Sequence, residues 1–368
     1  MRIPRPAAAI EAIPPTTPFV GPEELARAGG HRQLLRLGAN ESAFGISPNA
    51  LAAMQRELPH LSWYGDPESI DLREALAQRH ECSVANVAVA SGIDDLMGLA
   101  VRAFVSPGSV ALTTRGSYPT FNFHVIGYGG ALEYVEYTND GKIDVETLAA
   151  AARRIRPAIV YVASPDNPSG SVSSRSDVEG LLRAIPSSTV LLLDEAYAEF
   201  AAPQDVMQNV VDGRLIRMRT FSKAYGMAGA RIGYAITTPR IVGTFQKIRL
   251  HYGVNRNAQI GALAALSDQK FVQDVIRQVA QGREDYMELA RSLGLAYQPS
   301  ATNFVCIGLG SAQRATSMVN NLLSRGVFIR KPTAPPLDSY VRVTVGTTAQ
   351  RMAFAQHFRA LLGQVVSA

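Results

Sequence analysis

Short apolar runs alternate with helical patterns along the first two thirds of the chain. The alternation predicts an α/β fold with a mostly parallel sheet sandwiched by helices. A continuous run such as Thr-Val-Leu-Leu-Leu is typical of a parallel strand that is covered on both faces. Helical patterns over 93–104 and 145–156 lie between such runs. The predicted strands are residues 87–90, 110–113, 159–163, 189–193, 215–218 and 232–236.

The pattern changes beyond residue 252. Apolar residues recur at helical spacing from 271 to 293, which predicts a long amphipathic helix that bridges two domains. Valines at 341, 343 and 345 then alternate with Arg342 and Thr344, which predicts a strand with two different faces. We therefore predict an N-terminal arm (1–35), a small α/β domain (36–60 and 285–368) and a large domain (61–284).

Composition narrows the class of protein. The 368 residues are 47% hydrophobic and 18% charged, which is typical of a globular enzyme. The net charge of +5 is spread over short clusters, so solvated helix faces are favoured over a nucleic-acid partner. The first 18 residues, rich in Pro and Ala, predict an extended arm without a signal peptide, and no membrane span is expected. Cys82 and Cys306 predict no disulfide framework, which favours the cytoplasm.

One lysine stands where chemistry is expected. Lys223 follows a predicted strand and precedes a glycine-rich turn. Lysine forms an imine with an aldehyde cofactor, and Ser222 beside it offers a hydroxyl to a phosphate. Arg231, beyond the turn, offers a planar fork that suits phosphate. The alternative is a solvated lysine in a loop.

Three further predicted strands end in polar groups. Asp194 and Tyr197 follow one of them, and a buried carboxylate needs a partner such as a protonated pyridine nitrogen; a helix cap is the alternative. A turn with two prolines can aim Asn167, or is only a turn. Ile93 and Asp94 open a helix whose free N–H groups can bind phosphate, although Asp94 also complements the helix dipole.

Together these residues indicate one binding pocket, because ligand sites of open α/β sheets lie at the carboxyl ends of the strands. Other cofactor classes fit poorly. The Gly-x-Gly at 308–310 has no third glycine at the required spacing, and the sequence contains no Gly-Lys-Ser/Thr loop. The sequence therefore argues against a nicotinamide or nucleoside-triphosphate enzyme.

The combined motifs resemble a known family. Asp-Glu-Ala-Tyr at 194–197, Asn-Pro-Ser-Gly at 167–170 and the Ser-Lys pair with its downstream arginine are similar to those of fold-type I, pyridoxal-phosphate (PLP) dependent aminotransferases of class I/II. Within this group the sequence is most similar to the histidinol-phosphate aminotransferase branch. The resemblance extends over nearly the whole chain, from 37 to 347.

The resemblance implies roles around the cofactor ring. Lys223 would bind PLP covalently and move a proton between substrate and cofactor. Asp194 would pair with the pyridine nitrogen. Tyr197 and Asn167 would hydrogen-bond the phenolic oxygen, and Tyr118 would stack on the ring.

The resemblance also implies a phosphate cradle, formed by the backbone of residues 93–94 with Ser222 and Arg231. Tyr64 would reach the cofactor phosphate of a neighbouring subunit, which implies a homodimer. Arg342 would bind the acidic group of the substrate, with Asn40 on the substrate side. Arg330 suits a phosphate or a second carboxylate, or is an exposed basic strand end. The segments at 64–66 and 116–118 depart from the family pattern, which leaves the substrate open.

Three functions follow from these residues. The first is transfer of an amino group from a donor, with glutamate expected, to a 2-oxo acid or a phosphorylated ketone. The alternative is a PLP-dependent decarboxylase or lyase of the threonine-phosphate decarboxylase type, which shares the same lysine and aspartate. A cofactor-binding protein without catalysis is disfavoured by the intact Lys223, Asp194, Tyr197 and Arg231.

Overall fold

The fold is described by a computed structural model for residues 4–11, 13, 20–208 and 212–366, with side chains up to residue 363. The strands, in chain order, are β1 Leu35–Arg36, β2 Val87–Ala90, β3 Val110–Thr114, β4 Ala131–Val135, β5 Ile159–Ala163, β6 Val190–Asp194, β7 Leu215–Thr220, β8 Gly233–Ile236, β9 Tyr297–Gln298, β10 Phe304–Gly308, β11 Val327–Phe328 and β12 Tyr340–Thr344.

The helices connect and cover these strands. They are α1 Ala8–Glu11, α2 Pro22–Ala28, α3 Pro48–Glu57, α4 Ile70–Arg79, α5 Ile93–Phe104, α6 Thr120–Gly127, α7 Val145–Ile155, α8 Arg175–Ala184, α9 Pro239–Gln246, α10 Arg256–Ser267, α11 Gln269–Ser292, α12 Ala312–Ser324 and α13 Thr348–Val366. Short 3₁₀ turns lie at Leu58–His60, Val84–Asn86, Ala198–Phe200, Pro203–Asp205, Ala228–Ala230 and Leu337–Ser339.

Within the described residues the large sheet has seven strands in the order β2-β8-β7-β6-β5-β3-β4. Strands β4, β3, β5, β6 and β7 pair in parallel, and β8 is antiparallel to both β7 and β2. Strand β2 therefore runs in the same direction as β7, so β2, β3, β5, β6 and β7 all end at one edge of the sheet. Because β8 runs the other way, the residues that precede it lie at this edge too.

Helices cover both faces of this sheet. Alternate residues of β5 and β6 belong to different hydrophobic clusters: Ile159 and Leu192 pack with α5 and α6, whereas Val160 and Leu191 pack with α7 and α8. Burial on both faces explains why these strands are continuously apolar. The predicted α/β fold with a mostly parallel sheet is confirmed.

The predicted strands and helices lie where the sequence pattern puts them, with ends that differ by at most two residues. The pattern missed β4 at the edge of the sheet. Its sequence, Ala-Leu-Glu-Tyr-Val, alternates between exposed and partly buried positions, so it forms no continuous apolar run. The helix expected to continue to Arg156 ends at Ile155, because Arg156 takes a left-handed conformation that closes it.

Two smaller sheets are formed by the C-terminal part of the chain together with β1. Strands β9, β10 and β12 form an antiparallel sheet in the order β12-β10-β9, and β1 pairs in parallel with β11. The predicted bridging helix is α11, with 24 residues. The division into an arm, a small domain and a large domain stays a prediction.

The prediction of an extended arm over residues 1–18 is wrong for α1, which is helical. Residues 1–3, 12 and 14–19 lie outside the described part, so the prediction is not tested there, and α2 lies beyond residue 18. Helix α2 begins with Pro22, followed by Glu23 and Glu24 in its first turn, which favour a helix start. No helix in the described part of the chain is long and apolar enough to cross a membrane.

Buried charge joins β6 to β7 just below the carboxyl edge. Glu195 is 2% exposed. It accepts from Arg217 Nε and from Arg219 Nε, each at 3.0 Å. Removing one partner of a buried ion pair leaves an uncompensated charge in the interior. The cluster of Glu195, Arg217 and Arg219 therefore holds β6 against β7 and fixes where the residues that follow these strands lie.

We expect Glu195→Ala to lower the free energy of unfolding by about 3 kcal/mol or more, because Arg217 and Arg219 lose a buried carboxylate. Urea unfolding measures the change. The control is Glu179→Ala, which removes an exposed carboxylate 3.8 Å from Arg183 and should cost less than about 0.5 kcal/mol. Equal losses in the two variants would contradict the structural role of Glu195.

Candidate active site

A cavity of about 290 Å³ lies at the carboxyl edge of the large sheet, where the smaller sheets meet it. It brings together every site residue that the sequence predicted except Tyr64. The residues that line it include Asn40, Ile93, Asp94, Tyr118, Asn167, Asp194, Tyr197, Ser222, Lys223, Arg231, Arg330 and Arg342.

Lys223 points into this cavity from the loop beyond β7. Its Nζ donates to the carbonyl of Asn40 at 3.1 Å and lies 5.6 Å from the centre of the Tyr197 ring. Burial, followed by the positive charge of Arg342, lowers the pKa of Lys223 to about 8. A lowered pKa increases the neutral fraction of the amine, which is the form that attacks a carbonyl. The solvated-loop alternative is therefore disfavoured.

Asp194 forms the floor of the cavity at the end of β6 and is 5% exposed. Tyr161 donates its hydroxyl to Oδ2 at 2.9 Å, and the N–H of Ala196 donates to Oδ1 at 2.9 Å. Burial raises the pKa of Asp194 to about 6, while the bond from Tyr161 opposes the rise. The helix-cap alternative is wrong, because the next helical element is the 3₁₀ turn Ala198–Phe200 and its N-cap is Tyr197. Asp194 instead closes the turn after β6 and presents a carboxylate to the cavity.

Asn40 links the two parts of the fold beside Lys223. Its Nδ2 donates to the hydroxyl oxygen of Tyr197 at 2.9 Å, and its Oδ1 accepts from Thr344 Oγ1 at 2.9 Å. Asn167, in the rigid turn after β5, accepts through Oδ1 from Arg342 Nη1. The phenol of Tyr197 and the amide of Asn167 are therefore both fixed by hydrogen bonds to residues of the cavity.

The N-terminus of α5 forms one end of the cavity. Gly92 precedes the helix with φ +89°, and a Cβ there would lie 2.7 Å from Arg231 Nη2. Glycine therefore leaves room for the guanidinium beside the N-terminus of α5, where Arg231 Nη2 lies 3.5 Å from Asp94 Oδ2 and the first N–H groups of the helix are free. Arg231 precedes β8, and the antiparallel direction of that strand brings it to this edge. With the buried Ser222, this end can hold a phosphate.

Tyr118 lines the cavity beside the N-terminus of α5. Its hydroxyl donates to Asp94 Oδ1 at 3.1 Å. Burial, followed by the negative charge of Asp94, raises the pKa of Tyr118, so the phenol stays neutral. A neutral aromatic face held by this bond suits a planar cofactor ring.

Two arginines form the opposite end. Arg342 Nη2 donates to the carbonyl of Gly38 at 3.1 Å, and Arg330 Nη2 donates to the carbonyl of Val20 at 2.9 Å. Among the described residues no carboxylate pairs with Arg342, and its Nε is buried without a partner. Burial lowers the pKa of both arginines. A desolvated guanidinium without a carboxylate, as at Arg342, suits an anionic ligand.

Tyr64 lies outside the cavity of its own chain. It is 77% exposed and stacks on Tyr252 with ring centres 4.4 Å apart. Its position is open to a second molecule, so its predicted role in a neighbouring site stays a prediction.

The sequence missed three polar residues that support the site. They are Tyr161 below Asp194, Thr344 beside Asn40, and Asn303, whose Nδ2 donates to the carbonyl of Asn40 at 3.1 Å. Tyr161 alone left a signal, because it is the polar residue in an otherwise apolar strand. The other two become visible only when the smaller sheet is docked.

Comparisons with known proteins agree with this geometry. Residues 32–358 match the model of the aminotransferase class I and II family. A histidinol-phosphate aminotransferase from Sinorhizobium meliloti, solved in complex with pyridoxal 5′-phosphate, is 41% identical with a TM-score of 0.94, and the match covers 98% of this chain and 99% of that one. The chain belongs to the class I and II aminotransferase family.

Curated relatives point the same way. Histidinol-phosphate aminotransferase 2 of Carboxydothermus hydrogenoformans is 31% identical, over 96% of this chain and 98% of its own length. Histidinol-phosphate aminotransferase of Roseiflexus castenholzii is 35% identical, over 93% of this chain and 94% of its own length. The chain is a PLP-dependent aminotransferase similar to the histidinol-phosphate enzymes, and the decarboxylase alternative is not favoured.

The cavity fits PLP on its own chemistry. It offers a lysine of lowered pKa, a buried carboxylate, and a glycine-lined helix N-terminus that a Cβ would close. These features match an aldehyde, a pyridine nitrogen and a phosphate respectively.

We expect Arg342→Gln to raise the pKa of Lys223 above about 8 in cofactor-free protein, because the loss of a nearby positive charge favours the ammonium form. The rate at which an amine-reactive reagent modifies Lys223 is measured against pH by peptide mass spectrometry. The midpoint of this curve should move to a more alkaline pH by about one unit. The matched control Arg240→Gln removes an exposed arginine and should leave the curve in place. An unchanged or more acidic curve for Arg342→Gln would disprove the coupling.

Proposed function

We propose that this aminotransferase moves an amino group between glutamate and a carbonyl compound that carries an acidic group. We propose further that its preferred substrates are phosphorylated compounds of the histidinol-phosphate type, after which its relatives are named. The observation that carries the proposal is the pair Arg330 and Arg342, which line the cavity opposite the phosphate-binding end. A second anion-binding end, separate from that of the cofactor, suits a substrate with its own phosphate or carboxylate. The names of the relatives favour the phosphate.

Bound PLP supplies an electron sink that weakens the bonds of the substrate α-carbon. In the proposed roles, Lys223 binds the cofactor aldehyde and then holds and releases the proton that moves at the α-carbon. Its lowered pKa suits this task, because a base works best when its pKa lies near the working pH. Asp194 would pair with the pyridine nitrogen and keep it protonated, because it offers a carboxylate in a desolvated place.

The remaining residues orient the reacting groups. Tyr197 and Asn167 hold the phenolic oxygen, and each is fixed by its own hydrogen bond. Tyr118 covers the ring. The backbone of residues 93–94, with Ser222 and Arg231 as donors, would hold the phosphate. Rigid placement of this kind lowers the entropic cost of reaching the reactive geometry.

Arg342 and Arg330 bind the acidic group of the substrate. Arg342 already bonds to Asn167, so an anion at Arg342 is placed beside the group that holds the cofactor oxygen. Asn40 contacts both Lys223 and Tyr197 from the substrate side. Binding at one end of the cavity is thereby connected to the position of the catalytic lysine.

The function is tested by titrating the PLP-loaded protein with L-glutamate, histidinol phosphate and histidinol while recording the visible spectrum. We expect glutamate and histidinol phosphate to convert the band of lysine-bound cofactor to that of the pyridoxamine form. Histidinol should need at least about tenfold higher concentration, because it lacks the group that the arginines bind. The Lys223→Ala variant cannot form the lysine-bound band, and its rate of 2-oxoglutarate formation from glutamate should fall by about 10³ or more.

Lys247→Ala, which removes an exposed lysine, is the matched control and should convert at the wild-type rate. Conversion by glutamate but not by histidinol phosphate would support glutamate as the donor and reject the phosphorylated class of second substrate. No conversion by any compound would reject both.

We further propose that the active form is a homodimer in which Tyr64 reaches the cofactor phosphate of the other subunit. Large apolar side chains are exposed around Tyr64, namely Leu61, Trp63, Leu250 and Tyr252. Exposed apolar patches of this kind mark protein interfaces, and a two-fold axis pairs a patch with its own copy. The 250–253 loop also touches the phosphate end, since Ser91 Oγ donates to the carbonyl of Gly253.

Shared sites predict complementation between two inactive variants. Mixing Lys223→Ala with Tyr64→Ala under conditions of subunit exchange should restore activity, because one site of each mixed dimer then has both native residues. Light scattering before mixing confirms that both variants are dimers. If Tyr64 serves only its own chain, or the protein is monomeric, mixing restores nothing.

The proposal includes a cytoplasmic location. Both cysteines, Cys82 and Cys306, are free, which suits a reducing compartment.

A further inference from the structure

Tyr161 occupies an unusual place for a polar side chain. It lies in the middle of β5 and is 1% exposed. Side chains of alternate residues point to the same face of a strand, so Tyr161 shares a face with Ala163, which lines the cavity. On the neighbouring strand, Asp194 pairs with Ala163 in parallel register. Tyr161 therefore lies directly beneath Asp194, on the side away from the cavity.

The geometry of Tyr161 is fixed from several sides. Its ring stacks on Phe121 with centres 4.7 Å apart and planes inclined by 13°. Its carbonyl accepts from Thr113 Oγ1 at 3.2 Å. The hydroxyl then donates to Asp194 Oδ2 at 2.9 Å. A side chain held in this way delivers its hydrogen bond to one atom with little conformational freedom.

We propose that Tyr161 is a positioning residue which, through Asp194, keeps the pyridine ring of the cofactor protonated and electron-accepting. The inference rests on the pairing of Asp194 with the pyridine nitrogen that is proposed above. It adds a residue that lies outside the cavity and does not touch the cofactor.

The charge balance around Asp194 explains the need for this donor. Burial disfavours the carboxylate, and the charge of Asp94 at the start of α5 adds to the effect. Lys223, beyond β7, and the hydrogen bonds from Tyr161 and the Ala196 N–H act in the opposite direction. Of these, Lys223 is taken up by the cofactor aldehyde in the proposed function. Tyr161 and the backbone N–H then remain as the groups that favour the charged form.

Tyr161 suits this role at every working pH. Burial raises the pKa of its own hydroxyl well above the usual value, and the charge of Asp194 raises it further. The hydroxyl therefore stays protonated and remains a donor. The bond favours the ionised form of Asp194, because a carboxylate accepts a hydrogen bond more strongly than a carboxylic acid does.

The test is Tyr161→Phe in the full-length protein, since it removes one oxygen and keeps the ring that packs on Phe121. The first readout is the ionisation of Asp194 without cofactor, followed by the infrared band of its protonated carboxyl, which is identified by its loss in Asp194→Asn. We expect the midpoint to move from about 6 in the native protein upward by about one pH unit, because the ionised form loses a donor.

The second readout is PLP affinity as a function of pH. In Tyr161→Phe the loss of affinity on acidification should begin at a higher pH, so that the dissociation constant rises by about twofold near pH 7 and by about tenfold near pH 5, where Asp194 is mostly protonated in both proteins. The matched control is Tyr234→Phe, which removes an equally buried hydroxyl in the same sheet, bonded to His80 at 3.0 Å. It should change neither the Asp194 midpoint nor the affinity curve, even if stability falls in both variants.

An unchanged Asp194 midpoint in Tyr161→Phe overturns the inference, as does an equal change in Tyr234→Phe. Failure of the underlying pairing has a different signature. In that case Asp194→Asn keeps native PLP affinity, although Tyr161→Phe still moves the carboxyl midpoint.

Discussion

Ionisable groups that the fold removes from water at one edge of the large sheet govern the rest of the site. Lys223 and Asp194 each have a shifted pKa, and burial is the main cause for both. A desolvated charge is costly unless a partner compensates it. In the described structure the partners are the hydrogen bond from Tyr161 to Asp194 and the hydrogen bond from Lys223 to Asn40, and in the proposed function the cofactor would supply the rest. The fold thus keeps the Lys223 amine and the Asp194 carboxylate away from water, which shifts their pKa values toward those that the proposed chemistry needs.

The direction of the strands makes this arrangement possible. Parallel β2, β3, β5, β6 and β7 end together, and antiparallel β8 brings Arg231 to the same edge. The smaller sheet then adds Arg342 from β12. Its hydrogen bond to Asn167 joins the anion-binding end to the large sheet. A substrate that binds Arg342 consequently meets residues from both parts of the chain.

Much of this could be predicted from the sequence, because continuous apolar strands and the polar residues that follow them are local features. Asp194 directly follows an apolar run, and Lys223 lies a few residues beyond the predicted strand 215–218. What could not be predicted depends on contacts between distant segments. Thr344 meets Asn40 only after β12 has docked, and Tyr161 gains its role only from the register of β5 with β6. The edge strand β4 was missed because it is partly exposed, so its sequence mixes polar and apolar residues and contains no continuous apolar run.

The central claim is that Lys223 is the residue to which the cofactor is joined. Reduction of the PLP-loaded protein with borohydride, followed by proteolysis and mass spectrometry, tests this most directly. We expect a phosphopyridoxyl group on the peptide that contains Lys223 and none on the exposed Lys247. Label on another lysine, or an unmodified Lys223 peptide in protein that has bound PLP, would contradict it.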